Sequence, residues 1–392
     1  MYLFLLIFSL ATFAFVGIYK RDWALYLIIL LLPSYQVRFQ IAGVPMTFLE
    51  SIILVLAGVE FARVIASVAK QSKKITALPA VARDDKGSVL RKIFLQKNTW
   101  LIFLFLLGAL ISVFTAPDTI KAAGIFKAYF FEAVLFYFLA VLIIDDEKKL
   151  NTLWNILPVL VLYLSAFGVY QFLTLAHLPF NWWAVDVASR RIVSLLNHPN
   201  ALALLLGPLL AMVIVYPKKF WLHWTAISLG LVAFYLTFSR AAWLALAVVV
   251  FASGLLTGHK KKIIAAVLGG TVLVLLVPFS RTKLLDLAKG QDLSQQNRYV
   301  LWSAATDMLK KSPLLGVGLT GFHETYKNYP LGPDRVVQNY PHNFFLNFWL
   351  ETGLLGLVSI VGLLILFYKR VRLLLSDEKW RHLGLAAAAG MS

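Results

Sequence analysis

Residues 220–257 run for 38 positions with Arg240 as their one strong charge. A continuous helix of that length would reach about 57 Å at 1.5 Å per residue, almost twice the hydrocarbon core of a bilayer. The chain therefore has to turn back near Ser239–Arg240, giving spans at 220–238 and 241–257 with a guanidinium at the tip of a tight hairpin. The rest of the composition fits a membrane solvent. The chain is 60% hydrophobic and 14% charged, with a mean hydropathy of +0.78, whereas soluble domains are about half apolar and a quarter charged. Residues 1–19 carry no charge, no basic leader and no clear small-residue cleavage site, so they read as a retained span.

Further spans are expected near 1–19, 22–37 (weak), 46–66, 98–116, 127–144, 151–174, 199–217, 263–279 and 343–368. The fold class is an all-α polytopic membrane protein with about 11 transmembrane helices and the start of a truncated last one. Five regions follow: N-terminal helices over 1–66, a basic cytoplasmic loop over 67–97, a helical core over 98–279, a large outer loop over 280–341, and a C-terminal transmembrane part over 342–392. No repeat of 20–50 residues is visible, which argues against a solenoid.

Lys and Arg orient the chain. Loops 20–22, 67–97, 145–150, 217–219, 258–262 and 369–381 carry 22 of them, against 6 in the alternate short loops. The first set is cytoplasmic by the positive-inside bias. A net charge of +18 thus reflects topology rather than nucleic-acid binding. The absence of cysteine excludes disulfides, thiolate metal sites and cysteine nucleophiles.

The outer-face cations become informative against that bias. Arg190 and Arg191 precede the span at 199, where "HPN" supplies a helix start with Pro199 near the first turn. Arg240 is either a snorkelling residue that caps a turn or an anion-binding group. In the outer loop, residues near 298–311 have Tyr299, Leu301, Trp302, Ala305, Met308 and Leu309 at helical spacing. Asn297 is read as their cap, Arg298 as a first-turn cation, and the helix as lying on the outer leaflet. Gly316, Gly318 and Gly321 would let backbone approach a ligand. Several arginines at one surface suit a diphosphate, because the planar guanidinium binds two oxygens at once and stays charged.

Four segments, "RRIVSLLNHPNALA", "LTFSRAAWLAL", "NRYVLWSAATDMLKKSPLLGVGLTGF" and "PHNFFLNFWLETGLLGL", occur in the order found in the O-antigen ligase and polymerase superfamily, which the chain resembles over roughly residues 150–368. The resemblance implies a GT-C-like membrane glycosyltransferase, independent of metal and of any cofactor. It would move a glycan from an undecaprenyl diphosphate carrier to a hydroxyl acceptor (lipid A core, glycan or protein) at the outer face of the bacterial inner membrane. It also implies functional roles for Arg191, Arg240 and His342, with Arg298 opening the loop helix. Ser194 stands where the family commonly has glycine.

In that reading Arg190, Arg191, Arg240 and Arg298 hold the diphosphate and His342 is the base, with Arg191 and Arg240 counted as catalytic. A neutral imidazole suits removal of a hydroxyl proton, and arginines can stabilise the leaving diphosphate. Single displacement inverts the anomeric centre. Asn343, Ser239 and Glu351 are supporting residues. Glu50, Glu132 and Glu351 are costly in lipid and carry a functional prior for that reason, and for Glu351, with Asn347 one turn before it, a structural hydrogen bond is the alternative. His198 reads as a capping residue and His323 as a second outer-loop candidate. No Asp-X-Asp pattern for a metal-held phosphate occurs among the outer carboxylates. A repeat-unit polymerase of the same superfamily and a small-anion transporter are the competing readings. The partners expected are donor, acceptor and membrane lipid, with no nucleic acid.

Overall fold

The computed structural model describes residues 2–41, 43–75, 97–183, 190–216, 221–257, 268, 293–329, 338–376 and 381–391. Most of the described chain is helical. The order begins with α1 (Tyr2–Tyr19), α2 (Arg21–Leu30), the hairpin β1 (Arg38–Ile41) and β2 (Val44–Thr47), and α3 (Phe48–Ile75). It continues with α4 (Lys97–Thr115), α5 (Thr119–Ile143), α6 (Glu147–Thr174), α7 (Pro199–Val215), α8 (Trp221–Leu236) and α9 (Arg240–Thr257). The last described elements are α10 (Leu293–Lys311), α11 (Gly321–Tyr326), α12 (Phe344–Ser376) and α13 (Arg381–Gly390). Among the described residues α5, α6 and α12 are long and apolar enough to cross a bilayer, and α1, α4, α7, α8 and α9 contain shorter apolar helices. The expected span at 263–279 and most of the basic loop 67–97 lie outside the described residues, although α3 carries the helix on to Ile75.

The weak span at 22–37 is replaced by something else. Helix α2 has ten residues, about 15 Å, and a 3-10 turn containing Pro33 follows it before the hairpin reverses the chain. Ala24, Leu25, Tyr26 and Ile28 are buried, so α2 packs inside the protein against α1, α3 and α5. Residues 46 and 47 belong to β2 rather than to a span. Thr47 and Glu50 then form a capping box, with Thr47 N–H donating to Glu50 Oε2 at 2.8 Å and Glu50 N–H to Thr47 Oγ1 at 3.2 Å. Lys127 Nζ adds an ion pair at 3.3 Å. The costly carboxylate of Glu50 is thus used for capping and pairing.

The largest described core joins α6, α7 and α8 through Leu160, Leu164, Leu202, Leu206, Leu210 and Phe234. Contacts at the bundle's two ends sort as the charges do. At one end Arg21 meets Glu60 and Asp145, and Tyr216 donates to Asn151. At the other, Asn197 donates to Gln36, Lys127 to the Pro45 carbonyl, and Lys121 faces Glu324.

Helix α12 is not the straight span expected over 343–368. Gly353 has φ 66° and ψ −176°, a conformation open essentially to glycine alone. The loop after α10 repairs the broken ladder there, since Leu354 N–H donates to the Leu314 carbonyl at 2.9 Å and Val317 N–H to the Leu350 carbonyl at 2.8 Å. Along α4, Gly108 packs on Gly356 and Leu101 on Gly362, while Phe105 between them touches Phe348. The arm before Gly353 therefore lies back over the arm after it. A Cβ at Gly353 would sit 2.6 Å from the Leu314 carbonyl oxygen. Gly353→Ala is expected to cost about 1–3 kcal/mol from backbone conformation alone, read as a lower thermal unfolding midpoint. An unchanged midpoint would show that the bend tolerates a side chain.

Candidate functional site

The first cluster is built by the strap 190–198 against the turn between α8 and α9. His198 caps α7, its Nδ1 accepting from Asn200 N–H at 3.0 Å with Pro199 following, as the "HPN" signal implies. Ser194 takes φ 54°, which accounts for glycine being comfortable at this position. Its Oγ donates to the Leu164 carbonyl at 2.7 Å, and its N–H donates to Gln171 Oε1 at 2.8 Å. Gln171, 1% exposed in α6, also donates to the Ser194 and His177 carbonyls. This residue escaped the sequence reading, and the one signal for it was a lone amide in an apolar run.

The pinned strap delivers Arg191 to the hairpin tip. Its Nε donates to the Thr237 carbonyl and its Nη2 to Asn200 Oδ1, both at 2.8 Å, while its guanidinium lies 5.5 Å over the Trp182 ring. Ile192 N–H donates to the Leu236 carbonyl at 3.2 Å. Ser239 follows directly, its N–H donating to Thr237 Oγ1 at 3.3 Å, and Arg240 opens α9. The tight turn inferred from length is where it was expected; the Arg240 side chain lies outside the described atoms. Arg190 takes different partners, donating to the Phe172 and Trp183 carbonyls.

The second cluster forms where α10 meets the start of α12. Helix α10 begins at Leu293, so Asn297 is not its cap and Arg298 is past its first turn. Its apolar residues Leu301, Ala305, Met308 and Leu309 are buried against Phe322, Tyr326 and Leu350, a protein contact in place of the expected outer leaflet. Gly316 and Gly318 approach the backbones of Leu350 and Ala116. Trp302 Nε1 donates to the Pro341 carbonyl at 3.1 Å and so fixes the residue before His342. His342 has φ 53°, contacts the Tyr340 ring at 4.6 Å, and stays accessible on one side. Partial burial, followed by the charge of Arg298, holds its pKa below the ordinary 6.5, so the imidazole is neutral at pH 7. Asn343 Oδ1 accepts from Leu346 N–H at 3.1 Å and caps α12. Glu351 accepts from Asn347 Nδ2 at 3.2 Å one turn away. His323 Nδ1 lies 3.2 Å from the Gln338 carbonyl oxygen.

Arg191 is thus tied to the turn between α8 and α9, and the charge of Arg298 is felt at His342. A family model described as O-antigen ligase matches residues 225–361. Over those residues, about a third of its length, the chain is similar to the O-antigen ligase family.

The matched segment begins inside α8 and ends inside α12, so it encloses Ser239, Arg240, Arg298, His342, Asn343 and Glu351, while Arg190 and Arg191 precede it. The chain is also similar to the exopolysaccharide production protein ExoQ of Rhizobium meliloti (strain 1021), at 31% identity over 126 residues. That alignment covers 30% of this chain and 28% of the relative. Chemically, the matched segment offers an accessible imidazole at His342 whose pKa burial and the charge of Arg298 hold below its ordinary value. Among the described residues no group of three His, Asp or Glu side chains is arranged to hold a metal ion.

Proposed function

We propose that the chain transfers a glycan from an undecaprenyl diphosphate carrier to a hydroxyl acceptor at the outer face of the bacterial inner membrane. The supporting observation is that the accessible imidazole of His342 falls within the segment that matches the O-antigen ligase model, together with the Ser239–Arg240 turn. His342 takes the proton as the acceptor oxygen bonds to the anomeric carbon. The bond from that carbon to the diphosphate oxygen breaks, and its electron pair leaves with the diphosphate. Arg191, Arg240 and Arg298 stabilise the growing negative charge. Attack opposite the leaving group inverts the anomeric centre.

Reconstitution of the protein with carrier-linked glycan and candidate acceptors, in the presence of a chelator, tests this directly. Product should form and should require His342. Uptake of a small anion by proteoliposomes, with no carrier consumed, would contradict it and favour transport. A base acting in its neutral form also gives activity that falls as pH drops through its pKa, here below 6.5. Arg298 is one of the two causes that lower that pKa. Arg298→Gln is therefore expected to move the acid limb of the pH–rate profile to higher pH; an unmoved limb would separate Arg298 from the base.

A second reading is favoured by the name of the relative, which is a protein of exopolysaccharide production. In it the acceptor is itself a carrier-linked glycan, and the product is a lengthened polymer. Product size in the same reconstitution distinguishes the two.

A further inference from the structure

The bend at Gly353 leaves a crook between the two arms of α12, and the crook is a groove of about 530 Å³. Phe345 on the first arm and Val361, Leu364 and Ile365 on the second form its apolar walls. Its far end carries Lys369 and Arg372. With about 3.6 residues per turn, Val361, Ile365 and Arg372 share a face on the side of the helix away from Gly356, where Gly108 of α4 packs. The groove consequently opens away from the protein core, and Phe345 and Ile365 are 53% and 51% exposed.

Lys369 and Arg372 are exposed and have no acidic partner among the described residues. They sit about 24 and 28 Å beyond Gly353 along the helix. Leu375 and Leu385 pack there with Val215, at the end where Tyr216 meets Asn151 and Arg21 meets Asp145. This is the Lys- and Arg-rich end, remote from Arg191 and the Ser239–Arg240 turn. Apolar walls offer nothing to a free phosphate, while two cations at the rim are wasted on a neutral lipid. From Val361 to Arg372 the wall runs about 16 Å, enough for most of an acyl chain.

We infer that this groove is a binding site for an anionic phospholipid, with an acyl chain in the crook and the headgroup phosphate on Lys369 and Arg372. Basic side chains at such a level attract anionic headgroups, and their stems follow apolar surface to reach them. The seated lipid wedges between the arms of α12, of which the first begins at Phe344, just after its cap Asn343. The binding does not require the glycan-transfer reading.

Native mass spectrometry of the purified full chain, equilibrated with phosphatidylglycerol or phosphatidylcholine, tests the site. Phosphatidylglycerol should be retained about thirtyfold better, as expected for two favourable charges at about 1 kcal/mol each. The double variant Lys369→Gln with Arg372→Gln should lose that preference, and Lys369→Arg should keep it. Val361→Trp, which fills the crook, should lower retention of both lipids without lowering the thermal unfolding midpoint. Equal retention of the two lipids by the unaltered protein would overturn the proposal. So would a preference that survives the double variant, or retention of an isoprenoid diphosphate in place of phosphatidylglycerol.

Discussion

His342→Ala lowers the rate of glycan transfer by about 10²- to 10⁴-fold, the range for loss of a general base, and leaves donor binding nearly intact. The expectation follows from what the imidazole does and does not hold. Its neighbours are anchored without it: Trp302 fixes the Pro341 carbonyl, and the cap of α12 is Asn343. Removing the ring therefore leaves α10 and α12 in place, and the thermal unfolding midpoint should hardly move. Asn343→Ala makes the contrasting control, with a loss of about 1 kcal/mol of stability for the cap and a smaller fall in turnover. If His342→Ala turns over at the normal rate while Asn343→Ala does not, the base has been assigned to the wrong side chain.

Arg240→Ala and Arg191→Ala should each reduce turnover by about 10²- to 10³-fold, the size of one lost anion-stabilising donor. Stability separates them from Arg190→Ala and from each other. Arg191 donates to the Thr237 carbonyl and to Asn200, and its loss should also cost about 1.5–3 kcal/mol, the worth of a hydrogen bond from a charged group. Arg190 donates to the Phe172 and Trp183 carbonyls. Its replacement is expected to loosen the strap more than it weakens turnover. Turnover assays paired with thermal unfolding on the three variants check this pattern. A full-rate Arg240→Ala enzyme would remove the hairpin tip from the site.

How far the sequence reveals this arrangement depends on whether the controlling force is local. The hairpin at Ser239–Arg240 was legible because bilayer thickness limits a helix whatever surrounds it. The start of α7 was legible because a cap followed by proline works within a few residues. The region 21–47 was not, since hydropathy registers apolar side chains but not the backbone bonds that let Pro33 and the β1–β2 hairpin fold the chain short of a crossing. The bend in α12 was hidden for a related reason. One glycine permits the conformation at Gly353, but the carbonyl of Leu314, nearly forty residues earlier, supplies the bond that holds it. Helix α10 had the right periodicity with the wrong partner: an amphipathic stripe fits lipid or protein equally, and Phe322, Tyr326 and Leu350 decide for protein. The Thr47–Glu50 capping box is local and has its signature in the sequence, a threonine three residues before a glutamate.

The core proposal is spatial: guanidinium groups from separate segments grip one pyrophosphoryl headgroup. Donor affinity measured for Arg240→Gln, Arg298→Gln and the double variant tests it most directly. Two side chains on one ligand group are expected to couple by at least about 0.5 kcal/mol, so the double variant should lose less or more than the sum of the singles. Losses that simply add, or single variants that bind donor as tightly as the unaltered protein, would contradict a shared diphosphate site.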